Sequence, residues 1–243
     1  MRHSAMSVAI LGLTVAFCAA AHAAAPHVFE LNFDDSGNPG ADSSGNGNDA
    51  TVNGGASWTA SGYDGGGIEF DGVDGYVEVE MDVPEFNFTM AMWIKTDVPD
   101  VGLYSVLDGV AGAGGHDRHF YLDGGNICFR VWQGAGWCTE AAVADGQWHH
   151  IALVAGDGDG QHAYVDGVEV GTFEYDHSDF DWQLRVWIGF SNDAANTYFT
   201  GTIDGATYTE AALTPEEIAD EMSTAVEAKG KLTTTWAGVK TTY

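Results

Sequence analysis

Apolar and polar residues alternate in short runs along most of this chain, and clusters of Gly, Asp, Asn and Ser separate the runs. A period of two over four to eight residues is the signature of a strand with one face buried. The pattern predicts strands over Val28–Phe33, Ile68–Phe70, Tyr76–Met81, Phe88–Lys95, His119–Leu122, Ile127–Trp132, His149–Val154, His162–Val165, Val168–Phe173 and Arg185–Gly189. Asp166-Gly167, set between Val165 and Val168, reads as a two-residue hairpin turn. One segment breaks the pattern. Thr214 can cap a helix, Pro215 suits its first position, Glu217 completes a capping box, and Leu213 can staple onto Ile218. The helix is expected over 214–229, ending before Gly230. The predicted class is all-β: a two-sheet antiparallel sandwich with one C-terminal helix. The role of residues 230–243 is left open.

The N-terminus follows another logic. Arg2 and His3 precede an apolar stretch from Met6 to Ala21, and Ala21-His22-Ala23 follows, so residues 1–23 read as a cleaved secretory signal. Lipidation at Cys18 is disfavoured by the bulk of Phe17 before it. No later segment has the ~20 apolar residues of a membrane helix. The mature protein is therefore expected to be exported, extracellular or periplasmic, without membrane insertion, and 26–213 is long enough for one large β domain. Its 33 glycines against 5 prolines suit many strands joined by tight turns. A formal charge of −28 argues against nucleic acid and anionic lipid as partners, because both would be repelled. Once the signal has gone, Cys128 and Cys138 remain, on strands flanking the Gly-rich turn at 133–136. A hairpin centred there puts them opposite each other, and a disulfide is expected.

The blocks FDDSGNPGADSSGNGNDATVNGG from Phe33, GGGIEFDGVDGYVEVE ending at Glu80, FTMAMWIKT at 88–96, WHHIALVAGDGDGQHAYVDGVEVGT at 148–172 and GTIDGATYTEAALTPEEI at 201–218 keep a recognisable order. In that order they resemble the laminin-G-like family of concanavalin A-like jelly-roll domains. The resemblance implies a binding module for glycan or for an extracellular protein. It also implies a structural calcium where the first strand and its loop meet the last strand, which points to Asp34, Asp42, a backbone oxygen near Asn48, and Asp204. The 34–49 loop is rich in the oxygen ligands that calcium takes. The sequence departs from the family where a second acid commonly follows the aspartate, since Gly205 stands there. The alternative is that Asp42 and Asn46 close Asx turns while Asp204 accepts backbone hydrogen bonds.

Sugar recognition needs an aromatic face against ring C–H groups and polar groups to fix the hydroxyls. Tyr104, Tyr121, Trp132 and Trp137 flank loops that can supply the first, and Asp108, His116, Asp117 and Asn126 the second. Catalysis is the lesser expectation. Glu78, Glu80 and Asp82 share a strand face, as paired carboxylates must for glycoside hydrolysis, but the same spacing arises when Val77, Val79 and Met81 face a core and the acids face water. Gly156 to Gly160 lacks the remaining ligands of a calcium loop and reads as a turn. His149 and His150 are adjacent on a strand, so they point to opposite faces and do not form a zinc pair.

Overall fold

The structure, a computed structural model, describes residues 25–109, 116–131, 134–175 and 181–223. The predicted signal peptide, Trp132, the helix beyond 223 and the 230–243 tail lie outside these residues. His116 is described only as backbone.

Among the described residues, fifteen strands form two antiparallel sheets. They are β1 (His27–Leu31), β2 (Ala50–Asn53), β3 (Ser57–Thr59), β4 (Gly67–Asp71), β5 (Tyr76–Val79), β6 (Phe88–Lys95), β7 (Gly102–Leu107), β8 (His116–Asp123), β9 (Asn126–Arg130), β10 (Trp137–Ala142), β11 (Trp148–Gly156), β12 (Gly160–Val165), β13 (Val168–Phe173), β14 (Arg185–Ile188) and β15 (Thr200–Thr209). The first sheet runs β13-β12-β11-β6-β15-β4-β3, with β1 also on β15; the second runs β10-β9-β8-β7-β14-β5-β2. The two-sheet sandwich predicted from the alternation is what forms.

Alternation decides which side chains fill the space between the sheets. In β6, Phe88, Met90, Met92 and Ile94 join the core, while Thr89, Ala91 and Trp93 turn to the outer face of the first sheet. Ile151 and Leu153 of β11 and Ile203 and Tyr208 of β15 add to the same core. Each such side chain contributes about 1.5–3 kcal/mol on burial. Three elements escaped the sequence reading, β2, β3 and β7, and β15 entered it only through the family resemblance, as the last strand carrying Asp204. In β7 every position is buried, so GLYSVL carries no alternation to detect.

The helix is described over 215–223 and begins as predicted. The Thr214 N–H donates to Glu217 Oε2 at 2.8 Å, and the Glu217 N–H donates back to Thr214 Oγ1 at 3.3 Å. Leu213 and Ile218 join a small apolar cluster with Ala91, Ala152, Val154 and Tyr164, which seats the helix on the outer face of the first sheet. The register pairs Cys138 with Cys128, and the two form the expected disulfide.

At one end of the sandwich the core is polar. Arg118, fully buried and at φ 46°, pairs with Asp117, reaches Glu85 at 3.4 Å and lies over the Phe88 ring at 5.0 Å. Gln183 donates to Glu85 and to Asp117, which keeps the carboxylates supplied with donors away from water. A buried charge survives only when paired and hydrogen-bonded in this way.

Candidate functional site

β15 builds the site by changing partner along its length. Its first half pairs with β4 at residues 200–203, and its second half pairs with β1 at residues 206–209. Between the halves the register shifts, and Gly205 is the extra residue, at φ 56°. A bulge of this kind re-aims the residues beside it. Ile203 and Ala206 both face the core here, so Asp204 and Thr207 can both line the opposite side. Glycine suits the position because its left-handed backbone disfavours other residues; an added Cβ would only reach van der Waals contact with Trp93 Cδ1, at 3.4 Å.

The strand register sets the next residues. Asp204 is paired with Trp93 across β15 and β6, and Trp93 with His150 across β6 and β11. Three strands thus present Asp204, Trp93 and His150 as one lateral row. One row further along β6 and β11 are Ala91 and Ala152, small enough to admit the helix. The row therefore lies beside the helix rather than beneath it.

The 60–66 loop closes the other side. Tyr63 stacks on Trp93, with ring centroids 3.5 Å apart and planes 10° from parallel, and meets Trp148 edge-on at 6.1 Å. Asp204 Oδ2 accepts the Asp64 N–H at 3.0 Å, and Asp34 Oδ1 accepts the Gly66 N–H at 3.0 Å. Gly65, at φ 94°, has no room for a side chain, because a Cβ would fall 2.0 Å from Asp34 Oδ1. Phe33, at φ 53°, is buried in the core next to Asp34, and its carbonyl accepts the Trp58 indole N–H at 2.9 Å. A bulky residue in that conformation stores strain of about 1–3 kcal/mol.

The result is a cleft of ≈ 200 Å³ on the outer face of the first sheet. Five acids line it, Glu30, Asp34, Asp64, Asp204 and Glu221, with Tyr63, Trp93, His150 and Thr207. Burial pushes the Asp204 carboxyl up to about 7, against the pull of backbone N–H donors and with help from the nearby charge of Asp34. Burial likewise lifts Glu221 to about 7, assisted by Glu30 and Glu217. His150 goes the other way: burial lowers it to about 4 and keeps the ring neutral at physiological pH.

The four oxygen ligands implied for calcium divide into two places. Asp34 and Asp204 share the cleft. The Asp42 carboxylate instead accepts the backbone N–H groups of Glu30, Ser44 and Asn48 at 2.9–3.0 Å and the Ser44 hydroxyl at 2.8 Å. Burial opposes its ionisation, yet these bonds hold its pKa below the usual value. The Asn48 amide donates to the Val28 carbonyl at 2.8 Å, completing a closed Asx-type loop. Among the described residues no group of three or more His, Cys, Asp or Glu side chains is arranged to hold a metal.

Of the residues expected to contact sugar, Trp132 and the His116 side chain lie outside the described residues, and two of the described ones are shut inside the domain. Tyr104 is 1% exposed inside the core, and Asp117 is fully buried against Arg118, so neither offers a surface; both expectations are corrected by burial. Trp137 packs between Phe129 and Phe173 and donates to Gln161 at 3.0 Å, so its ring is occupied. Asn126 closes the β8–β9 turn opposite Asp123, and Asp108 follows β7 half-buried. Tyr121 is half-buried on β8, paired in register with Cys128.

A second aromatic group lies on the second sheet, turned away from the core. Tyr76 stacks on Trp187 at 3.7 Å, Trp187 meets Phe190 at 5.2 Å, and Phe190 meets Tyr198 at 5.1 Å. Glu78 Oε2 accepts the Trp187 indole N–H at 2.5 Å and the Arg185 guanidinium at 3.1 Å. Glu78 is thus engaged in holding this face, and Glu80 lies exposed just beyond β5.

Residues 71–219 match the family described as the concanavalin A-like lectin/glucanases superfamily, and the chain belongs to it. No curated protein sequence matches the chain. Among solved structures it is similar to domain 4 of AbnA, a GH43 extracellular arabinanase from Geobacillus stearothermophilus, in complex with arabinotriose, with a TM-score of 0.65 and 18% identity over 82% of this chain and 99% of that one. It is also similar to the binding domain of Paraclostridial Mosquitocidal Protein 1, with a TM-score of 0.62 and 17% identity over 80% of this chain. A third similar structure is of botulinum neurotoxin type C, whose cell entry is described as dependent on two ganglioside molecules, with a TM-score of 0.60 and 12% identity over 82% of this chain. The matches span about half of each of these two toxin chains. At such identities the likeness establishes the fold. Among the described residues no helix is long and apolar enough to cross a membrane.

Proposed function

We propose that this chain is an exported, non-catalytic, lectin-like module that takes a single sugar ring in the cleft beside Tyr63 and Trp93. The observation that carries the reading is the stacked Tyr63–Trp93 pair set among Asp34, Asp64 and Asp204 in a cleft of ≈ 200 Å³. That volume lies below the ~300–1,000 Å³ of most small-molecule sites, which suits one ring better than a chain. Aromatic faces take ring C–H groups, and carboxylates accept sugar hydroxyls. The arabinotriose and gangliosides named with similar folds support a glycan as the ligand class.

The test is binding of the purified domain to a broad glycan panel, with Tyr63→Ala beside the wild type and folding checked by circular dichroism. Saturable binding that Tyr63→Ala weakens ~10-fold or more supports the cleft, a loss of about 1.4 kcal/mol. Binding untouched by that change but lost in Tyr76→Ala favours a second reading, an extended glycan laid on the Tyr76–Trp187 face. Silence across the panel favours an extracellular protein partner. Repeating the titration with calcium and with chelator tests a structural calcium at Asp34 and Asp204, the two implied ligands that share the cleft.

A further inference from the structure

We propose that the cleft selects a sugar bearing a free amine, a glucosamine-type ring whose ammonium sits among the carboxylates; this rests on the cleft being the binding site. Five acids line it, and neither Lys nor Arg does. Charge of a single sign in a low-dielectric concavity concentrates the opposite charge. Uronic, sialylated and sulfated sugars are repelled by the same lining.

The remaining polar groups favour a ligand that brings donors. His150 is 3% exposed, lines the cleft, and its Nδ1 has no hydrogen-bond partner. The Thr207 hydroxyl in the same lining is also unpartnered. A buried polar atom left in this state carries an unrelieved desolvation penalty, which a ligand can recover. The low pKa of His150 keeps its ring neutral, so one of its nitrogens is an acceptor. An ammonium has three donors and no acceptor, which matches a lining of carboxylates, a neutral imidazole and a hydroxyl. Trp93 is 7% exposed and has one face covered by Tyr63, so the half-buried Tyr63 ring is the one left to attract a cation within about 6 Å and the C–H groups of the ring that carries it. Calcium takes 6–8 oxygen ligands, whereas an ammonium is satisfied by three acceptors.

The experiment is calorimetric titration near neutral pH with three trimers of equal length: glucosamine, N-acetylglucosamine and glucose, the last β-1,4-linked. A lysine amide serves as a cation without a sugar ring. The expected result is that the glucosamine trimer binds ~10-fold or more tighter than the other two, as a charge-assisted hydrogen bond warrants. Its affinity should fall by a similar factor in Asp204→Asn and in Asp34→Asn, and should weaken with added salt. Equal affinity for all three trimers overturns the amine and leaves the glycan reading standing. Binding of the lysine amide as tight as that of the glucosamine trimer overturns the sugar. Glucosamine binding unchanged in Asp204→Asn, Asp34→Asn and Tyr63→Ala marks a cation held elsewhere on an acidic surface and overturns the site. Failure of every glycan, these trimers included, overturns both readings. Melting curves of each variant establish that the protein titrated is folded.

Discussion

Asp204→Asn should make this protein more stable at alkaline pH and leave it almost unchanged at acid pH. Burial raises Asp204 from 3.8 to about 7, so the folded protein holds this proton more tightly than the unfolded chain does. A raised carboxyl pKa contributes stability that is fully present below the unfolded value and is lost as pH climbs through the folded one. About three pK units at 1.36 kcal/mol each set an upper bound of ~4 kcal/mol between pH ~4 and pH ~8. Asparagine carries no charge to desolvate and retains an oxygen for the Asp64 N–H, although it cannot satisfy as many donors. The variant should therefore match the wild type near pH ~4 and exceed it by about 2–4 kcal/mol near pH ~8. Glu221, also lifted to about 7, titrates in both proteins and largely cancels in the difference. Urea unfolding at four or five pH values, read by tryptophan fluorescence, measures that difference directly. A gap that does not grow with pH would refute the argument. A residue that weakens the fold at neutral pH and lines a cleft is the expected signature of a site retained for binding.

Replacing both Cys128 and Cys138 with Ala should lower stability by ~2–3 kcal/mol in denaturant titration, the loop-closure entropy of a ten-residue separation. Arg118→Ala should cost about 3–5 kcal/mol because it strands Asp117 and Glu85 in a dry environment, whereas Asp204→Asn at neutral pH moves the other way; thermal melts distinguish the two signs. Gly205→Val should cost about 1–3 kcal/mol from the left-handed backbone, measurable by thermal melt. Glu78→Gln with Glu80→Gln should leave glycan affinity in the cleft within ~2-fold, and no reducing ends should appear on prolonged incubation with either protein.

The strands with strict alternation, such as β4 and β5, were legible because one face of each had to be apolar. Tyr104 was misassigned for the opposite reason. An unbroken buried run such as GLYSVL hides which residues point inward, and an aromatic in it passes for a loop anchor. Asp34 and Asp204 could be singled out from their motifs, but Asp42 could not be separated from them, since a closed Asx loop and an ion site use the same residue types. The row of Asp204, Trp93 and His150 was invisible because strand register between distant segments created it. Tyr63 left one readable signal: a lone aromatic between Gly62 and the run Gly65 to Gly67 is placed for exposure on a tight loop. Arg118 left none, as a basic residue amid strand signals reads as a solvated side chain.

Because β1 and β15 meet edge to edge, the two ends of the domain cooperate in time as well as in space. The His27–Thr209 hydrogen bond spans 182 positions of sequence, so β1 stays unpaired until the final strand has been made. Contacts this remote form late and slowly. The cleft draws its walls from both ends, through His27, Glu30 and Asp34 on one side and Asp204, Thr207 and Glu221 on the other. It cannot exist on a half-made chain, and whatever occupies it fastens the first strand to the last and opposes unravelling from either terminus.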